Sequence, residues 1–149
     1  MSSVRVTELV NAPPDQVWAA HIDGPRIAEW FPGARAVEEV SGPLDRVGTT
    51  YVLRFNPLVR SRVRVTEIEA PVMHTRRWDA RPFGTHGSAT VLLRAENGGT
   101  RVDLDVTYEL PMGPLGRSLE RISYVRRRAA RDIRRELHAF AMFAERRGR

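Results

Sequence analysis

The stretch PLGRSLERISYVRRRAARDIRRELHAFAMFAERR, residues 114–147, decides the fold. Pro114 stands where the first turn of a helix tolerates a missing N–H. After Gly116, neither glycine nor proline recurs until Gly148. At ~100° per residue, Leu115, Leu119, Ile122, Ala129, Ile133, Leu137, Phe140 and Ala144 fall in one stripe roughly 80° wide. Arg117, Arg127, Arg128, Arg131, Arg134 and Arg135 occupy the other side. The pattern predicts one amphipathic helix, about 50 Å long at ~1.5 Å per residue. Such a helix needs a broad apolar surface to lie against, and the preceding residues must supply it.

Arg126 breaks the pattern, because the same count puts it within about 20° of the middle of the apolar stripe. Glu136 sits nearer the stripe's edge. A buried, unpaired guanidinium is very costly, so Arg126 needs a carboxylate partner, a route to solvent or a bound anion. The reading that bears on function is a cavity under the helix with Arg126 pointing into it.

The preceding chain supplies strands. Val4 to Val10 reads as a first strand, stopped by Asn11-Ala12-Pro13-Pro14, where proline blocks pairing and opens a helix. Val17, Trp18 and Ile22 form the apolar side of that short helix. Asp23-Gly24-Pro25 ends it, and a second short helix covers about residues 26–30. Six strands then follow in hairpin succession, at about 36–40, 48–55, 60–65, 72–81, 88–96 and 101–110. Asn97-Gly98-Gly99 is the strongest hairpin signal, and Val102, Leu104, Val106 and Tyr108 alternate against Asp103, Asp105 and Thr107. The strand at 72–81 carries an arginine on either face. Tryptophan has the larger area to bury, so the face of His74, Arg76 and Trp78 is expected inward. These elements predict an α+β fold: a curved seven-stranded antiparallel sheet wrapped around a long C-terminal helix, with two short helices between strands 1 and 2. The 149 residues contain no repeat or linker and read as one domain.

Composition excludes several chemistries. There is no cysteine, hence no disulfide and no thiolate nucleophile or ligand. All 24 Lys/Arg residues are arginine, which removes Schiff-base and lysine-base chemistry. The four histidines lack metal-ligand spacing, so no metal site is expected, and no cofactor motif is present. Asp103 and Asp105 share a strand face opposite the apolar one and are expected as surface charges near Arg5 and Arg94. No signal peptide or membrane-spanning segment is evident, so the expectation is a cytoplasmic protein.

Three segments, Val10-Asn11-Ala12-Pro13-Pro14-Asp15-Gln16-Val17-Trp18, Trp30-Phe31-Pro32-Gly33 and Gly113-Pro114-Leu115-Gly116-Arg117, resemble the START-like, or helix-grip, superfamily of polyketide cyclase/dehydrase and lipid-transport proteins (SRPBCC). The resemblance spans essentially the whole chain. It implies a helix-grip fold with an internal cavity for a hydrophobic or amphipathic small molecule, and it carries no catalytic role onto any named residue.

The candidate ligand-binding set is therefore Trp30 and Phe31 at the cavity mouth, and Tyr51, Phe55, Trp78 and Tyr108 along the sheet. Arg126, Arg76 and His74 supply charge. Together they suit a flat or lipid-like molecule with an acid group. Three functions compete. The first is a binding protein without chemistry. The second is a polyketide aromatase/cyclase or dehydratase, which needs a proton-transfer group such as His74 or Tyr51 in the cavity. The third is an interaction module whose arginine face meets RNA, ribosome or membrane, with a filled interior.

Overall fold

A computed structural model of the chain describes residues 2–82, 84–111, 113–120 and 122–147, and leaves the Ser123 side chain undescribed. The expected turn at Phe83, the connection through Met112 and the helix stop at Gly148 lie outside these residues. Seven strands form one antiparallel sheet: β1 (Ser2–Val10), β2 (Ala36–Glu38), β3 (Thr50–Arg54), β4 (Arg60–Glu69), β5 (Met73–Arg81), β6 (His86–Glu96) and β7 (Gly99–Glu109). Their order is β1-β7-β6-β5-β4-β3-β2. Every consecutive pair from β2 onward is a hairpin neighbour, as the turn residues require, and β1 joins the far side of β7. Between β1 and β2 lie α1 (Pro14–His21) and a 3-10 helix at Gly24–Glu29.

The helix expected at 114–147 is two helices, α2 (Gly113–Glu120) and α3 (Ser123–Arg147). The reason is local anchoring. The buried Glu120 carboxylate accepts a hydrogen bond from the Leu110 N–H just after β7. A Cβ on Gly116 would lie 2.1 Å from the Pro111 carbonyl oxygen, so only glycine lets α2 approach so closely. These contacts fasten α2 to the end of the sheet, while α3 runs across its concave face.

The alternation in the strands sets the core. Val102, Leu104, Val106 and Tyr108 of β7, Ala89, Val91 and Leu93 of β6, and Tyr51, Leu53 and Val63 of β3 and β4 are buried on the concave face. Against them the C-terminal half of α3 packs Leu137, Phe140, Ala141 and Ala144. Trp18 and Trp30 close the side between α1 and the 3-10 helix. Asp103 and Asp105 stay on the outer face, where Arg5 pairs with Asp105 at 2.9 Å and Arg101 with Asp103 at 3.3 Å. Asp103 bonds Arg101, its neighbour on the same strand face, and feels the charge of Arg94 as well.

Candidate ligand cavity

The concave face is filled by side chains only toward the C-terminal half of α3. Toward its N-terminal half a cavity of about 400 Å³ remains. The sheet side of its wall is Leu53, Phe55, Val63, Trp78, Ala89 and Val106, with Tyr108 beside them. Phe31 covers the flank and stacks at a tilt on Phe55, their centroids 6.0 Å apart. The helix side is Val125, Ala129 and Ile133. The hollow exists because Ala89 and Ala129 are too small to meet across the space that Leu93 and Phe140 fill further along.

The buried charge in this wall is a pair. Arg76 of β5 reaches Glu136 of α3 at 3.0 Å, and both side chains are largely buried, 8% and 16% exposed. The inward face of β5 is the one expected from Trp78, and His74 and Arg76 are both buried on it. Burial holds the Glu136 carboxyl above its ordinary range, with the Arg76 guanidinium pulling the other way. A second ion pair, Arg128 with Asp132 at 3.7 Å, stands more exposed at the cavity edge.

Behind Arg76 lies a much smaller void, walled by His21, Trp30, Tyr51 and His74. The His74 Nε2 lies 2.8 Å from the Leu44 carbonyl oxygen, which can only accept, so that nitrogen carries the proton. The bare His74 Nδ1 then accepts from His21 Nε2–H at 3.1 Å. Burial drives both imidazoles toward neutrality. It takes His74 down to about 4 and His21 well below its ordinary value, and the charge of Arg76 adds to both effects. Tyr51 is likewise pushed upward by burial. Both nitrogens of His74 are thus occupied, which leaves it no atom with which to move a proton in the main cavity.

Of the nine candidate residues, Phe31, Phe55, Arg76, Trp78 and Tyr108 line the cavity. Tyr51 and His74 line the adjoining void. Trp30 is no part of the mouth: it is buried, edge-on to Phe140 with centroids 5.0 Å apart. Arg126 lies outside and is exposed. The phase used to aim it is that of Leu137, Phe140 and Ala144, which pack the core and do not line the cavity. Within α3 the cavity-facing side runs through Val125, Ala129, Asp132 and Glu136, about 100° round the helix from Arg126. Glu136 is the site residue the candidate set omits. Its signal was a carboxylate at the edge of an apolar stripe, opposite a strand that had to turn an arginine inward.

A family model described as polyketide cyclase / dehydrase and lipid transport matches residues 1–145. No curated protein sequence matches. Among solved structures, the Zhui aromatase/cyclase from Streptomyces sp. R1128 superposes with a TM-score of 0.74 at 21% identity, covering 99% of this chain and 96% of that one. TTHA0849 from Thermus thermophilus gives 0.73 at 21% identity, with 96% and 97% covered. DynU16, a protein of the dynemicin biosynthetic locus, gives 0.72 at 22% identity over 97% of this chain, which spans only 48% of its length. At these identities the likeness is one of fold.

Proposed function

The chain belongs to the polyketide cyclase/dehydrase and lipid transport family, and we propose that it binds a hydrophobic or amphipathic small molecule in the cavity between sheet and α3. The observation that carries this reading is an apolar hollow of about 400 Å³ with a single buried ion pair, Arg76–Glu136, in its wall. That volume suits a drug-sized or fused-ring molecule. The rings of Phe31, Phe55 and Trp78 take its apolar body, and its polar group meets the ion pair. Because Arg76 is already matched by Glu136, an acid group on the ligand would have to displace a carboxylate. A neutral hydroxyl or carbonyl fits better: the carboxylate accepts from a hydroxyl and the guanidinium donates to a carbonyl. The reading thus drops Arg126 and the acidic ligand expected with it.

One observation favours catalysis as a second reading. Glu136 is a buried carboxyl at the cavity wall, held above its ordinary range, as a general base or acid requires. In a dehydration it would take a proton α to a carbonyl while Arg76 steadies the developing enolate oxygen, then give that proton to the departing β-hydroxyl, which leaves as water. Native mass spectrometry of the protein from its own host, followed by extraction, tests the first reading: a stoichiometric small molecule is expected. An empty protein that no lipid or polyketide collection stabilises against heat would overturn it. Turnover of a β-hydroxyketone probe that disappears in Glu136→Gln, with binding retained, would establish the second.

A further inference from the structure

The cavity runs to one end of the sheet. Phe55, Thr85 and Leu110 lie just past the paired residues of β3, β6 and β7, and all three line it together with Val125 at the start of α3. The loops that carry them make a rim, and this rim is apolar on its outside too. Leu58, at the tip of the β3–β4 hairpin, is 80% exposed. Leu115 of α2 is 59% exposed, and Ile122 and Tyr124 at the α2–α3 junction are 47% and 62% exposed. Four large apolar side chains, on two separate connections at one end of the molecule, face solvent. Isolated exposed leucines need no explanation, but a cluster around a cavity opening does.

The charge around them is one-sided. The carboxylates at this end are engaged: Asp79 with Arg81, Glu109 with His86, Asp132 with Arg128, while Glu120 is buried. Arg60, Arg117 and Arg126 are exposed, and none has an ion-pair partner among the described residues. Free guanidinium groups ringing protruding apolar tips complement a surface that is anionic outside and apolar a few ångströms beneath. Nucleic acid would match the arginines and leave Leu58, Leu115, Ile122 and Tyr124 unused. We infer that this rim, with Leu58, Ile122 and Tyr124 as insertion points and Arg60, Arg117 and Arg126 as headgroup contacts, docks the protein onto an anionic lipid bilayer with the cavity opening toward it. The docking does not depend on what fills the cavity.

Flotation with vesicles of pure phosphatidylcholine, and with vesicles containing about 30 mol% phosphatidylglycerol, reads the surface directly. The protein is expected to float with the anionic vesicles and to be released by high salt. The Leu58→Asp/Tyr124→Asp double variant should lose at least about tenfold in partitioning, since each change removes an inserted apolar group. Arg117→Gln/Arg126→Gln should lose about thirtyfold, at about fivefold per charge near an anionic surface. Arg46→Gln/Arg94→Gln, two exposed arginines at the opposite end of the sheet, should float as the unaltered protein does. Three results would overturn the inference: no flotation with either vesicle, an equal loss in the Arg46/Arg94 variant, or tighter binding to an RNA oligomer that Leu58→Asp does not change. Extracting the cavity contents of Leu58→Asp/Tyr124→Asp separates this inference from the ligand-binding reading, because those residues stand outside the cavity wall.

Discussion

Replacing Glu136 by leucine probes the buried charged contact that ties α3 to the sheet across the cavity. The Arg76 guanidinium would then be buried beside an apolar side chain, with 7% of the residue exposed and no other carboxylate bonded to it among the described residues. Removing one member of a buried pair costs about 3–5 kcal/mol, since an uncompensated charge remains. The Glu136 side chain keeps 16% of its surface open, and water can follow into the hollow, so the low end applies: about 3 kcal/mol. For a chain of this size that lowers Tm by roughly 6–12 °C. The second half of the experiment is Arg76→Met/Glu136→Leu, in which both charges go. Its stability should return to within about 1 kcal/mol of the original or exceed it, because the desolvation penalties of both ions disappear with their attraction. Denaturant and thermal unfolding, followed by circular dichroism, measure both. A Glu136→Leu variant within about 1 kcal/mol of the unaltered protein would refute the reasoning. So would a double variant as unstable as the single one, since the loss would then lie in packing and not in the orphaned charge.

Other outcomes follow from the same geometry. Ala129→Phe should place a ring in the hollow and abolish ligand-induced thermal stabilisation in a protein that still melts cooperatively, whereas Arg126→Ala should leave it unchanged; a loss in Arg126→Ala would return that residue to the site. His74 titrates near 6.5 unfolded and is held at about 4 in the fold, so the unfolded chain binds the extra proton between those values. Stability should therefore be complete above about pH 6.5 and fall by up to about 3 kcal/mol as pH drops toward 4. Glu136, raised by burial, acts in the opposite sense, so the comparison to make is with His74→Asn, whose pH–stability profile should be flatter. Gly116→Ala, which on an exposed helix would add about 1 kcal/mol of stability, should instead cost about 1–3 kcal/mol, because its Cβ would strike the Pro111 carbonyl. Equilibrium unfolding gives the sign.

The sheet was legible in the sequence because strand periodicity is local: each alternation and turn residue acts on its neighbours. Tryptophan's size sufficed to orient β5, and Arg76 followed Trp78 inward. The break between α2 and α3 was not legible. Ser118 through Ala130 contain no helix breaker, and the cause lies in contacts between Glu120, Gly116 and residues of the β7 end, which no periodicity reports. Arg126 was misdirected for a different reason: the side of α3 that meets the cavity, Val125, Ala129, Asp132 and Glu136, lies about 80° round the helix from the core stripe of Leu137, Phe140 and Ala144. The His21–His74 hydrogen bond joins residues 53 apart in the chain, and its effect, which is to take His74 out of the cavity's chemistry, depends on a carbonyl of Leu44 that sequence cannot place. Phe55 and Tyr108 could be foreseen on the inner face from strand alternation, and Phe31 from a turn that leaves its ring few local neighbours. Trp30 could not, because its burial depends on Phe140 of α3.

The pairing of β1 with β7 has a consequence for how the chain reaches this structure. Arg5 and Asp105 form their cross-strand pair at a separation of 100 residues, and the whole of β1 is registered against β7 in this way. The six hairpin strands can zip locally as they emerge, whereas β1 has no neighbour until the last strand is complete, and α3 rests on β1 in turn. Closing so long a loop is entropically expensive before any contact offsets it. Acquisition of the native state is therefore expected to be late and all-or-none: β1 and α3 join together, and the cavity forms in the same step as the termini dock.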